Sequence, residues 1–121
     1  MNDADTTIET LRQAMHAFVH ERQWERYHTP KNLAMSLAIE AAELMEHFQW
    51  LDSAESREVM ASPETKAEVA EELADVLCYA LSLANVTQID ISMAVLGKLR
   101  KNALKYPADQ FRGRYRADGP E

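Results

Sequence analysis

Cysteine is nearly missing from this chain. The single Cys78 among 121 residues can form no intramolecular disulfide, which suits a reducing cytoplasm. Turn formers are scarce too, with three Gly and four Pro, so a disordered chain and a turn-rich all-β fold are both disfavoured. Positive charge is in deficit: thirteen Lys and Arg stand against twenty Asp and Glu, a formal net charge of −7. Sequence-independent binding to a nucleic acid polymer needs a basic face, so that class is excluded, as is docking on an anionic membrane surface. Long apolar runs are also lacking, since none approaches the roughly 20 residues that span a bilayer. The opening MNDADTT is acidic and has no apolar stretch, so no secretory signal is expected.

What the chain does have is 46% hydrophobic residues, enough for a real core in one domain covering residues 1–121. Start signals for four helices stand out. Thr6-Thr7-Ile8-Glu9 fits a capping box with Thr6 as the cap. Thr29-Pro30 and Ser62-Pro63 each place a capping hydroxyl before a proline at the first helical position, where a missing N–H costs nothing. Asp90 caps the ISMAVLGKL run, Asp52-Ser53 follow the second apolar run, and Tyr106-Pro107 closes the last. These signals predict an all-α four-helix bundle with helices at about 6–26, 30–51, 63–86 and 90–105. From about residue 108 the chain, including FRGRYRADGPE, has little to bury and reads as a flexible tail.

Charge is distributed unevenly. From Glu40 to Asp75 there are eleven acidic residues and two basic ones, whereas seven of the thirteen basic residues lie from Lys98 onward. On a helical wheel at about 100° per residue, the apolar positions of 33–48 fill an arc from roughly 20° to 160° measured from Glu40, with Glu43 at roughly −60°. Measured from Glu72, the apolar positions of 69–80 fill nearly the same arc, with Asp75 at roughly −60°. Each helix therefore carries an acidic pair at i, i+3 on one border of its core stripe. Packed stripe to stripe, Glu40, Glu43, Glu72 and Asp75 converge, and four close anions repel unless a cation sits among them. All-oxygen ligands suit Mg²⁺ or Mn²⁺, and the missing Glu-x-x-His pairs speak against a di-iron bundle. The alternative is two ordinary solvated acidic faces.

At this point the sequence resembles a known family. Glu40-x-x-Glu43 followed by Glu72-x-x-Asp75 resembles the metal-binding signature of the all-α NTP pyrophosphohydrolases, the MazG-like superfamily. ERQWERYHTPKNLAMSLAIEAAELMEHFQW, EELADVLCYAL and the late Lys98-x-x-x-Asn102-x-x-x-Tyr106-Pro107 resemble its dCTP pyrophosphatase branch. One departure is Ile39, where many such sequences carry a second glutamate. The resemblance implies a nucleotide diphosphatase. Such an enzyme cleaves a nucleoside triphosphate, dCTP or a modified dCTP, to the monophosphate and pyrophosphate with Mg²⁺. It assigns Glu40, Glu43, Glu72 and Asp75 to the metal, and Lys98 and Asn102 to the phosphates or sugar. Spacing does not single out the base, for which Glu43 is the candidate.

A nucleobase needs a flat apolar pocket with a few polar groups. His16, Trp24, Trp50 and Tyr79 are the candidates the resemblance supports, each with core packing as its alternative. His28, beside the Thr29 cap, reads as structural and Cys78 as a packed side chain. Four amphipathic helices make a thin core, so a homo-oligomer is expected, and the resemblance suggests a dimer of dimers. In such an assembly Arg112 and Arg114 of the tail could complete a neighbouring site. The competing class is a non-enzymatic oligomerisation or partner-binding module whose acidic seam is only surface charge.

Overall fold

The computed structural model describes residues 1–115, and among these every regular element is helical. Six α-helices run in order: α1 (Ile8–Glu21), α2 (Pro30–Glu46), α3 (Ser53–Glu58), α4 (Pro63–Thr87), α5 (Ile91–Lys105) and α6 (Ala108–Phe111). Single 3₁₀ turns occupy Glu25–Tyr27 and Val59–Ala61. The chain divides into two compact units, Met1–Gln88 with the first four helices and Ile89–Glu121 with the last two. No single helix among the described residues is long and apolar enough to cross a membrane.

The expected caps at Thr29, Ser62 and Asp90 form, each side chain accepting from the backbone N–H three residues on. The first cap is corrected by one residue. Thr7, not Thr6, accepts from the N–H of Thr10, and Glu9 instead accepts from the Gln13 amide at 3.1 Å.

Helix α1 stops at Glu21, five residues short of the expected end. The Trp24 N–H donates to the Val19 carbonyl at 3.1 Å and the Gln23 N–H to the His20 carbonyl at 3.0 Å, a Schellman closure with Gln23 left-handed at φ 55°. Helix α2 stops at Glu46, because the N–H groups of His47, Phe48 and Leu51 bond three residues back and tighten the chain into successive turns. Helix α3 was not expected at all. Asp52 and Glu55 form a reciprocal capping box there, so the pair read as a stop signal is a start signal.

In the first unit α2 packs chiefly against α4, and α1 packs on α4 as well. Val19, Leu33, Leu81 and Ala84 are the buried apolar residues. The Arg12 guanidinium ties α1 to α4, donating to Asn85 Oδ1 at 3.0 Å and to the Ala84 carbonyl at 3.2 Å, while Asn85 returns a bond to the Arg12 carbonyl at 3.0 Å. The buried stripe is narrower than the wheel predicts. Leu37, Leu44, Val69 and Val76 are half-buried, but Ala38, Ala41, Met45, Leu73 and Leu77 stay exposed, because within one chain α4 covers α2 on one side only.

In the second unit, the segment read as a tail contains the short α6, whose Phe111 meets Tyr106 edge-on with ring centroids 5.2 Å apart. Residues 116–121 of that expected tail lie outside the described residues.

Candidate active site

The three-residue spacing of Glu40 and Glu43 stacks them one turn apart on α2, and the packing of α2 on α4 brings Glu72 to the same place. One carboxylate oxygen from each of Glu40, Glu43 and Glu72 lies within 4.8 Å of the others. Asp75 stands outside this triad, yet its charge is felt by both Glu40 and Glu72.

The triad is under electrostatic load. Burial, then a hydrogen bond with Glu43 and the charges of Glu43, Asp75 and Glu72, push the Glu40 carboxyl up to about 7. Burial and the neighbouring Glu43 also raise Glu72 above the ordinary carboxylate value, with His47 partly offsetting the rise. Among the described residues, Glu40 Oε2 and Glu72 Oε2 are sealed from solvent and have no hydrogen-bond partner. Buried acceptors without donors, crowded by like charge, are unfavourable unless a proton or a cation joins them. Three carboxylates offering hard oxygen ligands fit a divalent cation.

Beside the seam lies a cavity of about 420 Å³. Helix α1 supplies Ala14, Met15, Phe18 and Val19, the chain reversal supplies Trp24 and His28, and α4 supplies Asp75, Cys78 and Tyr79. Phe18 and Trp24 meet edge-on with centroids 5.8 Å apart, and the Arg22 guanidinium lies 3.7 Å from the Phe18 ring centroid. Burial, with the Asp75 charge adding to it, pushes the Cys78 thiol up, so it is not an activated nucleophile. Asp75 thus belongs to both features.

The fold sorts the expected base-pocket residues. Trp24 and Tyr79 come together in the aromatic cavity. His16 stacks on His20 at 5.9 Å and lines a neighbouring cavity of about 170 Å³ with Val19, Glu25, His28, Ser82, Asn85 and Val86. Trp50 sits on the turns beyond α2 and is 87% exposed. Lys98 and Asn102 lie one turn apart on α5, in the second unit, the first exposed and the second half-buried. Met15, Phe18, His28 and Cys78 were not read as pocket residues. The i, i+3, i+4 run of Met15, Phe18 and Val19 was a signal for the first two, whereas nothing local marked His28.

Comparison with known proteins agrees with this architecture. The chain belongs to the MazG-like family, whose profile matches residues 35–117. It is similar to the dCTP pyrophosphatase 1 of Homo sapiens, 40% identical over 104 residues, covering 86% of this chain and 61% of that protein. The Rattus norvegicus dCTP pyrophosphatase 1 is 38% identical over 109 residues, covering 90% of this chain and 64% of its own. The chain therefore spans less than two thirds of the length of these relatives. A pyrophosphatase crystal structure from Archaeoglobus fulgidus superposes with a TM-score of 0.79 at 45% identity, covering 88% of this chain and 98% of that one.

Proposed function

We infer that this protein is a nucleoside triphosphate pyrophosphohydrolase, converting dCTP or a modified dCTP to dCMP or its counterpart and pyrophosphate. The observation that carries this reading is the carboxylate triad at the edge of an aromatic cavity, with two sealed oxygens that find no donor among the described residues. The similar dCTP and archaeal pyrophosphatases give the reaction its class. Glu40, Glu43, Glu72 and Asp75 would hold Mg²⁺, with Mn²⁺ a substitute, and that site would supply neutralisation of the triphosphate charge and a more acidic water.

Trp24 and Tyr79 hold the base against the apolar wall of the cavity. Glu43 accepts the proton of the attacking water as its oxygen bonds to the α-phosphorus. The α–β bridging oxygen leaves with its electron pair on pyrophosphate. Lys98 and Asn102 bind the phosphates or sugar as a charge and an amide donor. The exposed Met35, Ile39, Leu73 and Leu77 support an assembly of copies, a dimer of dimers, in which these faces are covered. The single thiol Cys78 fits a cytoplasmic setting.

Pyrophosphate release from a panel of NTPs and dNTPs, with and without Mg²⁺, tests this on wild type and Glu43→Ala. Mg²⁺-dependent release of pyrophosphate and monophosphate, strongest with dCTP and reduced about a hundredfold or more in the variant, is expected. No release from any nucleotide by the folded protein would transfer the case to a non-enzymatic oligomerisation module.

A further inference from the structure

Neither the carboxylate seam nor the aromatic cavity includes His16. It stands four residues before His20 on α1, so the two imidazoles rise from one face of the helix, one turn apart. Their rings stack nearly parallel, with an interplanar angle of 8° and centroids 5.9 Å apart. Both residues are exposed, so the rings can turn.

Glu25 meets this pair from across the chain reversal. Its Oε2 lies 3.5 Å from His20 Nδ1, and with His16 it lines the cavity of about 170 Å³. That separation is longer than the usual N–H···O hydrogen bond of about 2.7–3.2 Å. It matches a different geometry. A tetrahedral Zn²⁺ holds imidazole nitrogen at about 2.0–2.1 Å and carboxylate oxygen at about 2.0–2.2 Å, which places those two ligand atoms roughly 3.4 Å apart. Two imidazole rings on one such ion have centroids about 5 Å apart, so His16 has about 1 Å to close and a ring to turn.

The donor set decides the metal. Two imidazoles and a carboxylate suit Zn²⁺, with Cu²⁺ and Ni²⁺ as substitutes, whereas the all-oxygen seam suits Mg²⁺. A pair of histidines four apart on a helix also binds zinc in metalloproteases, where a glutamate between them is the base. Here Ala17, Phe18 and Val19 lie between, and none of them can act as a base. An ion at this place therefore fastens the chain without hydrolysing anything. Glu25 opens the 3₁₀ turn that follows the reversal, and within the reversal Gln23 is left-handed at φ 55°, an unfavourable conformation for a residue with a Cβ.

We propose that His16, His20 and Glu25 form a transition-metal site for Zn²⁺, with water in the fourth position, and that the ion fastens the last turns of α1 to the 3₁₀ turn across the reversal. The site is separate from the carboxylate seam in its residues and in the metal it selects.

Zn²⁺ titrated into the full chain by calorimetry, with excess Mg²⁺ present, tests this on wild type, His16→Gln, His20→Gln, Glu25→Gln and Glu72→Gln. Wild type binds Zn²⁺ saturably, and Glu72→Gln, which weakens the seam, keeps that binding. His16→Gln, His20→Gln and Glu25→Gln each weaken it by about a hundredfold or more, since losing even the outer support of a ligand costs about 10–100-fold. Zn²⁺ at a hundred times its Kd raises the melting temperature of wild type by about 5–10 °C and leaves that of His20→Gln unchanged. Cu²⁺ in place of Zn²⁺ gives nitrogen hyperfine splitting in electron paramagnetic resonance, which is lost when both histidines are replaced. The three side chains are exposed, so the variants fold, and circular dichroism verifies it. Zn²⁺ affinity that persists in His16→Gln, His20→Gln or Glu25→Gln, or that is lost in Glu72→Gln instead, overturns the site. A folded wild type with no saturable Zn²⁺ binding overturns it as well. Neither result touches the pyrophosphohydrolase, which is read from pyrophosphate release.

Discussion

The carboxylate seam and the aromatic cavity adjoin at Asp75, yet they are built in different ways. The seam comes from two regular helices, each setting its acidic residues three apart, so one packing event of α2 on α4 assembles it. The cavity draws on α1, a left-handed chain reversal, the approach to the α2 cap and α4. Their chemistry is opposed as well: the seam buries acceptors that find no donor among the described residues, and the cavity presents apolar faces around a few polar groups. A site built from helix periodicity concentrates charge, and one built from an irregular connection sets shape.

The sharpest break in this comparison is a seam substitution that sets activity against stability. Glu72→Gln keeps the shape and deletes one charge. Pyrophosphate release is expected to fall about a hundredfold to a thousandfold, while the metal-free protein melts at a higher temperature because repulsion around Glu40 is relieved. Loss of activity together with a lower melting temperature would show that the glutamate is structural.

The same repulsion gives a pH dependence. The Glu40 carboxyl titrates at about 7 in the folded protein against an ordinary 4.5, so between these values the folded chain holds a proton that the unfolded chain has released. Stability of the metal-free protein is therefore highest below 4.5, declines as pH rises through about 7, and is level above that as far as this group is concerned. Melts across that range on wild type and Glu40→Gln isolate the contribution, which the variant lacks.

A cavity substitution should behave differently. Trp24→Ala removes a stacking wall and leaves the carboxylates in place, so KM for dCTP rises about tenfold to a hundredfold with kcat less affected. A variant that lost kcat and KM equally would dissolve the division between the two regions. The smallest effect is expected at the reversal itself. Gln23→Gly accommodates the φ of 55° without a Cβ clash and stabilises the fold by about 0.5–1 kcal/mol, read as a melting temperature higher by about 2–4 °C.

Much of the fold could be read locally. The hydroxyl-proline pairs at Thr29 and Ser62 start α2 and α4 where expected, since a cap and a first-turn proline act within four residues. Helix α3 was misread because Asp serves equally to close one element and to cap the next, and Glu55 was the deciding residue. The convergence of Glu40, Glu43 and Glu72 followed from helix period, whereas the separation of His16 from Trp24 and Tyr79 did not. Adjacent turns of a helix can serve different cavities, and the division depends on what packs between them.

The sequence by itself determined the starts and caps of α2, α4 and α5 and the i, i+3 pairing of acidic residues, because each of these depends on neighbours within one or two turns. Tertiary structure alone decided that Glu40 and Glu72 each bury an oxygen without a partner among the described residues, that Trp50 stands clear of the cavity, and that His28 lines it. Those outcomes depend on where α1 reverses and which side of α2 meets α4, and segments distant in sequence settle that together.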